Sequence, residues 1–226
     1  MPGYDPEMAP SPDAAPIAPK LSLREQQKQY TRQRLLDAAK EVFDRQGYAA
    51  TTVDDIVAAT GASRATFYLH FRSKLEIARE FERVAENLEP LWQRLHAMAT
   101  EGVTEDAIAL WLEEAFAFYT EHRLELQTVN EAVAVEPELR EDVVQKVEHA
   151  IDAVAPLIAQ AHPGDEEDAR VRAAMLVWQH ERFAYFWILR GVEFEKERVL
   201  RAFTDVWMHA LGRPARAAPK RTRAKR

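Results

Sequence analysis

The chain has 226 residues, 47% of them hydrophobic, with 7 Gly and no Cys. That is enough apolar material for a real core, and the missing cysteine excludes disulfides, thiolate metal sites and cysteine nucleophiles. The net charge of -7 is unevenly spread: residues 20–80 hold 11 Lys/Arg against 8 Asp/Glu, residues 81–212 hold 12 against 26, and residues 213–226 hold 7 basic groups and no acid. A basic head on an acidic body can still meet phosphate locally, whatever the sum.

Residues 1–19 carry 6 of the 12 prolines among small and acidic residues and read as disordered. They lack a basic start followed by an apolar run, so a secretory leader is not expected. No stretch of about 18 apolar residues offers a membrane span. The expectation is a cytoplasmic protein without a membrane partner.

Apolar spacing then predicts helices throughout. The first starts near Leu23 or Thr31 and runs to Gln46, with Leu35, Leu36, Ala39, Val42 and Phe43 as its stripe and Gly47 as its stop. Thr52 with Asp55 predicts a capping box opening a second helix, which Gly61 ends. Ser63 caps a short third helix, Arg64 to Phe71. Ser73 with Glu76 predicts another capping box and a fourth helix towards Met98, kinked or split by Pro90. Further helices are expected from Thr104 to Tyr119 or Glu121, from Arg123 to Val135, and from Pro137 to Ala161 with a disturbance at Pro156. Pro163-Gly164 breaks the chain before a long helix, Asp165 to Arg190, and a last one from Glu193 to Leu211. No strand or repeat signal competes, so the fold class is all-α.

Two short helices around Gly61 have the layout of a helix-turn-helix. Val53, Ile56, Val57, Ala65, Phe67 and Phe71 can lock the pair together, leaving Ser63, Arg64, Thr66, Tyr68 and His70 for the outer face and rim. The chemistry suits double-stranded DNA. Arg64, at the start of the recognition helix, can donate two bonds to a guanine edge. Tyr68, one turn on, reads as core or as DNA contact, and the face it shares with Arg64 favours contact. His70 reads as a contact or as a helix-end group. Thr52 and Ser63 stand at helix N-termini, which favour phosphate, and Lys74 can reach the DNA backbone.

The pattern Gly61-x-Ser63-x-x-Thr66-Phe67-Tyr68-x-His70-Phe71-x-x-Lys74, with Thr52 and Ile56 upstream and Phe43-x-x-x-Gly47-Tyr48 before them, resembles the TetR family of bacterial regulators. The resemblance covers about residues 30–76. Thr60 and Ala62 stand where the family often has alanine and valine. It implies that Arg64, Ala65 and Tyr68 face bases, and that Thr52, Thr66, His70 and Lys74 face phosphates or the groove rim. It also implies a larger helical domain that dimerises through its last two long helices and binds a small molecule. The domain reading is therefore a disordered extension over 1–22, a three-helix DNA-binding domain over 23–73, an effector-binding and dimerisation domain over 74–212, and a basic disordered tail over 213–226. The tail could add non-specific DNA affinity through counterion release.

Dimerisation has separate support. Val171 to Leu189 is apolar nearly all round, which asks for cover on two sides. The interface is expected at Met175, Tyr185 and Leu189, with Phe203 and Trp207 of the last helix. Trp92, Trp111, Phe116, Tyr119, Trp178 and Phe183 are candidates for an effector pocket, and each also reads as ordinary core. The histidines show no metal-ligand spacing, so no metal or cofactor is expected. A helical enzyme finds no nucleophile–base pair or phosphate loop to support it. The expected function is a homodimeric repressor released from its operator by a small effector; the alternative is an effector-independent or DNA-organising dimer.

Overall fold

The computed structural model describes residues 22–164 and 166–212. The expected extension and basic tail lie outside these residues, except Ser22, which caps the first helix. Ten α-helices and no strand are found among the described residues.

Helix α1 (Leu23–Gln46) opens with a capping box between Ser22 and Glu25 and buries Leu35, Ala38, Ala39, Val42 and Phe43. Its C-cap is Gly47, at φ +81°, whose N–H returns to the Phe43 carbonyl at 2.8 Å. Helix α2 (Val53–Thr60) begins at the expected box: Thr52 N–H donates to Asp55 Oδ2 at 2.8 Å, and Asp55 N–H donates to Thr52 Oγ1 at 3.2 Å. Gly61 is left-handed at φ +67°, which turns the chain into α3 (Arg64–Tyr68). That helix stops three residues short of Phe71. Helix α4 (Lys74–Arg83) follows, but the expected Ser73–Glu76 box does not form. Ser73 makes no side-chain cap bond, and Glu76 Oε2 instead accepts the Arg72 N–H at 2.6 Å.

Helix α4 does not reach Met98. It ends at Arg83, and a 3-10 turn over Val84–Leu88 leads into α5 (Glu89–Glu101). Pro90 stands in the first turn of α5, where its missing N–H is not needed. Helices α6 (Glu105–Glu121), α7 (Arg123–Val135) and α8 (Pro137–Ala161) lie close to their expected bounds. Pro156 is inside α8 yet the helix continues past it. Helix α9 (Glu166–Ala184) passes into a π-helical turn over Tyr185–Leu189, and α10 (Lys196–Ala210) starts three residues later than expected.

Two apolar cores result. The larger lies in the body and gathers Leu95, Trp111, Phe116, Val154, Phe203 and Trp207 among others. The smaller lies in the head and is built from Leu35, Phe43, Tyr48, Ile56, Phe67 and Phe71, extended by Ile77 and Phe81 of α4. Val129, Ala132 and Leu139 close this head core, although they belong to α7 and α8. The head is therefore seated on the body through a shared apolar layer. No described helix is long and apolar enough to cross a membrane.

Candidate nucleic-acid interface and body cavity

The third helix divides cleanly. Phe67 is fully buried in the head core, and Phe71 packs on it with ring centroids 5.8 Å apart. Ser63, Arg64, Ala65, Tyr68 and Leu69 are exposed. Ala65 therefore does not lock the helices, as the apolar pattern suggested, because the turn after Gly61 rotates it to the outside. Leu69, also exposed, escaped the sequence reading; its outward position follows from α3 ending at Tyr68.

Local bonds fix this surface. Ser63 Oγ accepts the Thr66 N–H at 3.0 Å and lies 2.9 Å from Thr66 Oγ1. Arg64 Nη1 donates to Asp54 Oδ2 of α2 at 3.2 Å. A bond with Tyr68, then the charge of Asp54, raises the Arg64 pKa above its ordinary value. Asp54, an acid in the first turn of α2, thus stands against the arginine at the tip of α3. Arg34 Nη2 donates to the Thr60 carbonyl at 2.9 Å and holds the end of α2 on α1.

Two expected phosphate contacts are differently engaged. Lys74 Nζ donates to the carbonyls of Tyr48, Ala49 and Thr51 at 2.8, 3.3 and 2.9 Å and lies 4.4 Å from the Tyr48 ring centre. Its ammonium closes the loop between α1 and α2, and burial lowers its pKa. His70 is half-buried with Nδ1 lacking a hydrogen-bond partner. Burial, then the charges of Lys28 and Arg32, lowers its pKa, which favours the neutral ring. Lys28, exposed on α1 beside it, went unnoticed in the sequence because nothing in the local pattern places it near α3.

The head is latched to the body by polar bonds around the shared core. Tyr48 N–H donates to Glu131 Oε2 at 2.8 Å, and its hydroxyl donates to Glu136 Oε1 at 2.9 Å. Lys40 pairs with Glu125 at 2.6 Å, and Arg79 with Glu138 at 2.9 Å.

Beneath this seam lies a cavity of about 760 Å³. Of the six aromatic candidates, Trp92, Tyr119 and Trp178 line it. Trp111, Phe116 and Phe183 do not; they belong to the body core, where Trp111 lies 5.0 Å from Trp207 and Phe183 lies 4.9 Å from Phe203, ring to ring. Leu126, Val129, Glu82, Lys146 and Glu181 also line the cavity and were not expected. Only packing between distant helices brings them together. Val129 belongs to both the cavity wall and the head core.

The expected dimer face also divides. Leu189, Phe203 and Trp207 are buried within the protomer, Trp207 completely. Tyr185 is half-buried at the cavity. Met175 is 64% exposed and stands in a row with Val171, Trp178 and Phe186, with exposed Val206 on α10. Leu189, Phe203 and Trp207, expected at a dimer face, belong to the protomer's own core instead, because the apolar period is the same whichever body covers it.

The family model described as bacterial regulatory proteins, tetR family, matches residues 35–81. The HTH-type transcriptional activator FasR of Mycolicibacterium smegmatis is 31% identical over 170 residues, covering 74% of this chain and 76% of that protein. The HTH-type transcriptional regulator SrpR of Pseudomonas putida is 49% identical over 47 residues, 21% of this chain. The chain spans only 22% of the length of SrpR and 35% of that of TtgW, a second regulator of that species. Among solved structures, a TetR-like transcriptional regulator from Rhodococcus sp. RHA1 superposes with a TM-score of 0.61 at 23% identity, covering 80% of this chain and 95% of that one. At such identity the likeness is one of fold.

Proposed function

The chain belongs to the TetR family of bacterial regulatory proteins, and from that premise we propose that it is a homodimeric regulator that binds operator DNA and is released by a small molecule. The observation that carries this reading is the division of α3. Phe67 anchors it in the head core, while Ser63, Arg64, Ala65 and Tyr68 present polar and small groups outward. A helix of that kind enters a major groove, with Arg64 at a guanine edge, Tyr68 and Ala65 at neighbouring bases, and Thr52, Thr66 and Lys28 towards phosphate. Leu69 adds an apolar contact for a thymine methyl.

Two copies must present their third helices about one DNA turn apart, or a multiple of it. Val171, Met175 and Trp178 form an exposed apolar row on α9, with Phe186 beyond the intervening Arg182, and this row offers the two-fold surface that such spacing needs. The cavity supplies the switch. Its wall residue Val129 also packs in the head core, so a ligand pressing on α7 biases the position of the head. A form with wrongly spaced heads, favoured by the ligand, would leave the operator. In the cytoplasm such release lifts repression wherever the operator overlaps a promoter. FasR, matched over 170 residues, is named an activator, and a reporter assay reads the sign.

Anisotropy titration of DNA flanking the protein's own gene, with and without candidate ligands, tests the proposal. Saturable binding at one palindromic site, weakened by a ligand that also raises the melting temperature, is the expected result. Binding unaffected by every ligand that stabilises the protein would support the effector-independent alternative.

A further inference from the structure

The effector reading leaves the ligand's chemistry open, and the cavity narrows it. The space of about 760 Å³ is in the range of small-molecule sites. Its charged groups are not equivalent. Lys146 is held by Glu82, Nζ to Oε1, at 2.6 Å. Arg182 lines the cavity too, but it is exposed and its guanidinium lies over the Tyr185 ring, 5.2 Å from the centre. Glu181 lines the cavity, and among the described residues it has no hydrogen-bond or ion-pair partner. Burial pushes its carboxyl up to about 7, with the charge of Arg182 opposing the shift. Glu181 is half-buried, and a carboxylate in a cavity wall with no counter-charge bonded to it favours a positive partner. Trp92, Tyr119 and Trp178 line the same cavity, and aromatic rings attract cations through their quadrupoles.

We propose that the cavity takes an amphipathic cation, its positive head against Glu181 and the faces of Trp92, Tyr119 and Trp178, its apolar part along Leu126 and Val129. The acid and the aromatic faces both favour positive charge, and they do so independently. An anion would meet the Glu181 carboxylate, and a neutral ligand would leave it without a counter-charge. The inference rests on reading the cavity as the effector site.

The test uses three probes with one chain and different heads: dodecyltrimethylammonium, dodecan-1-ol and dodecanoate, each below its micelle concentration. Calorimetry with the full chain should give an ammonium affinity at least tenfold above that of the alcohol, with dodecanoate weakest. Glu181→Gln should remove the ammonium's advantage and leave alcohol binding within about twofold. Val147→Trp, which narrows the cavity, should weaken both. Equal or tighter binding of alcohol or dodecanoate, or an advantage that survives Glu181→Gln, overturns the cation assignment alone. Ammonium binding untouched by Val147→Trp also overturns it, by placing the probe elsewhere. No binding by any probe overturns both this proposal and the effector reading of the cavity.

Discussion

The backbone N–H of Tyr48 donates to the Glu131 carboxylate at 2.8 Å. Tyr48 opens the loop before the helix-turn-helix, and Glu131 lies on α7, the helix whose Leu126, Val129 and Asn130 line the cavity. The same Glu131 Oε2 would stand 3.2 Å from a Cβ on Gly47. Head and cavity wall are thus joined at close range by a bond that a small rotation of α7 would stretch. Glu131→Ala should destabilise the protein by about 1–3 kcal/mol, because it strands a part-buried N–H. Ligand-driven loss of operator binding should weaken as well. Urea denaturation and ligand-titrated anisotropy measure the two effects.

Arg64 and Asp54 make an exposed pair, so neither contributes much to stability. Arg64→Ala should cost on the order of 1–3 kcal/mol in operator binding and relax discrimination at one base position. Asp54→Asn should blur discrimination at that same position, since the guanidinium loses its support at 3.2 Å. Melting temperature should barely change in either variant. Affinities against a panel of single-base operator variants decide the matter; uniform loss across the panel would place Arg64 on phosphate instead.

Lys74 distinguishes a contact from a brace. Its three carbonyl acceptors lie within one loop. Lys74→Met should lower stability while leaving the salt dependence of DNA binding unchanged. A lysine on phosphate would instead reduce the salt slope by about 1 when removed. Anisotropy at several salt concentrations reads the slope directly.

His180 supplies an acid limit to stability. It is buried among Trp111, Phe116, Tyr119 and Phe203 with both ring nitrogens unbonded. Burial alone lowers its pKa to about 4 from an ordinary 6.5. The neutral ring is therefore the form the fold accepts. Its contribution is fully present above pH 6.5 and is lost as pH falls towards 4, by roughly 3 kcal/mol in all. His180→Phe should flatten that loss in urea midpoints measured between pH 4.5 and 7.5.

Met175→Asp should give a folded monomer in sedimentation, with helical content kept and operator affinity lost. The residue is 64% exposed, so the charge harms no core within the protomer. Trp207→Ala, which opens the completely buried centre of the body, should instead lower stability by about 3–5 kcal/mol.

Local sequence alone determined the helix-turn-helix: the Thr52–Asp55 box, the left-handed Gly61 and the Ser63 cap are interactions within a few residues, so their spacing carries them. It also determined which helices are amphipathic, because a buried face leaves a 3.6-residue period whatever it is buried against. What covers each face was decided only by the tertiary structure. Phe203 and Trp207 have the same pattern whether a partner or their own body core covers them, and Trp111 has the same chemistry in a core as in a cavity wall. Lys74 reads as a phosphate contact until the fold brings three loop carbonyls around it. Glu181 and Val129 gained their places from helices far apart in the chain, and no short-range spacing records how such helices cross.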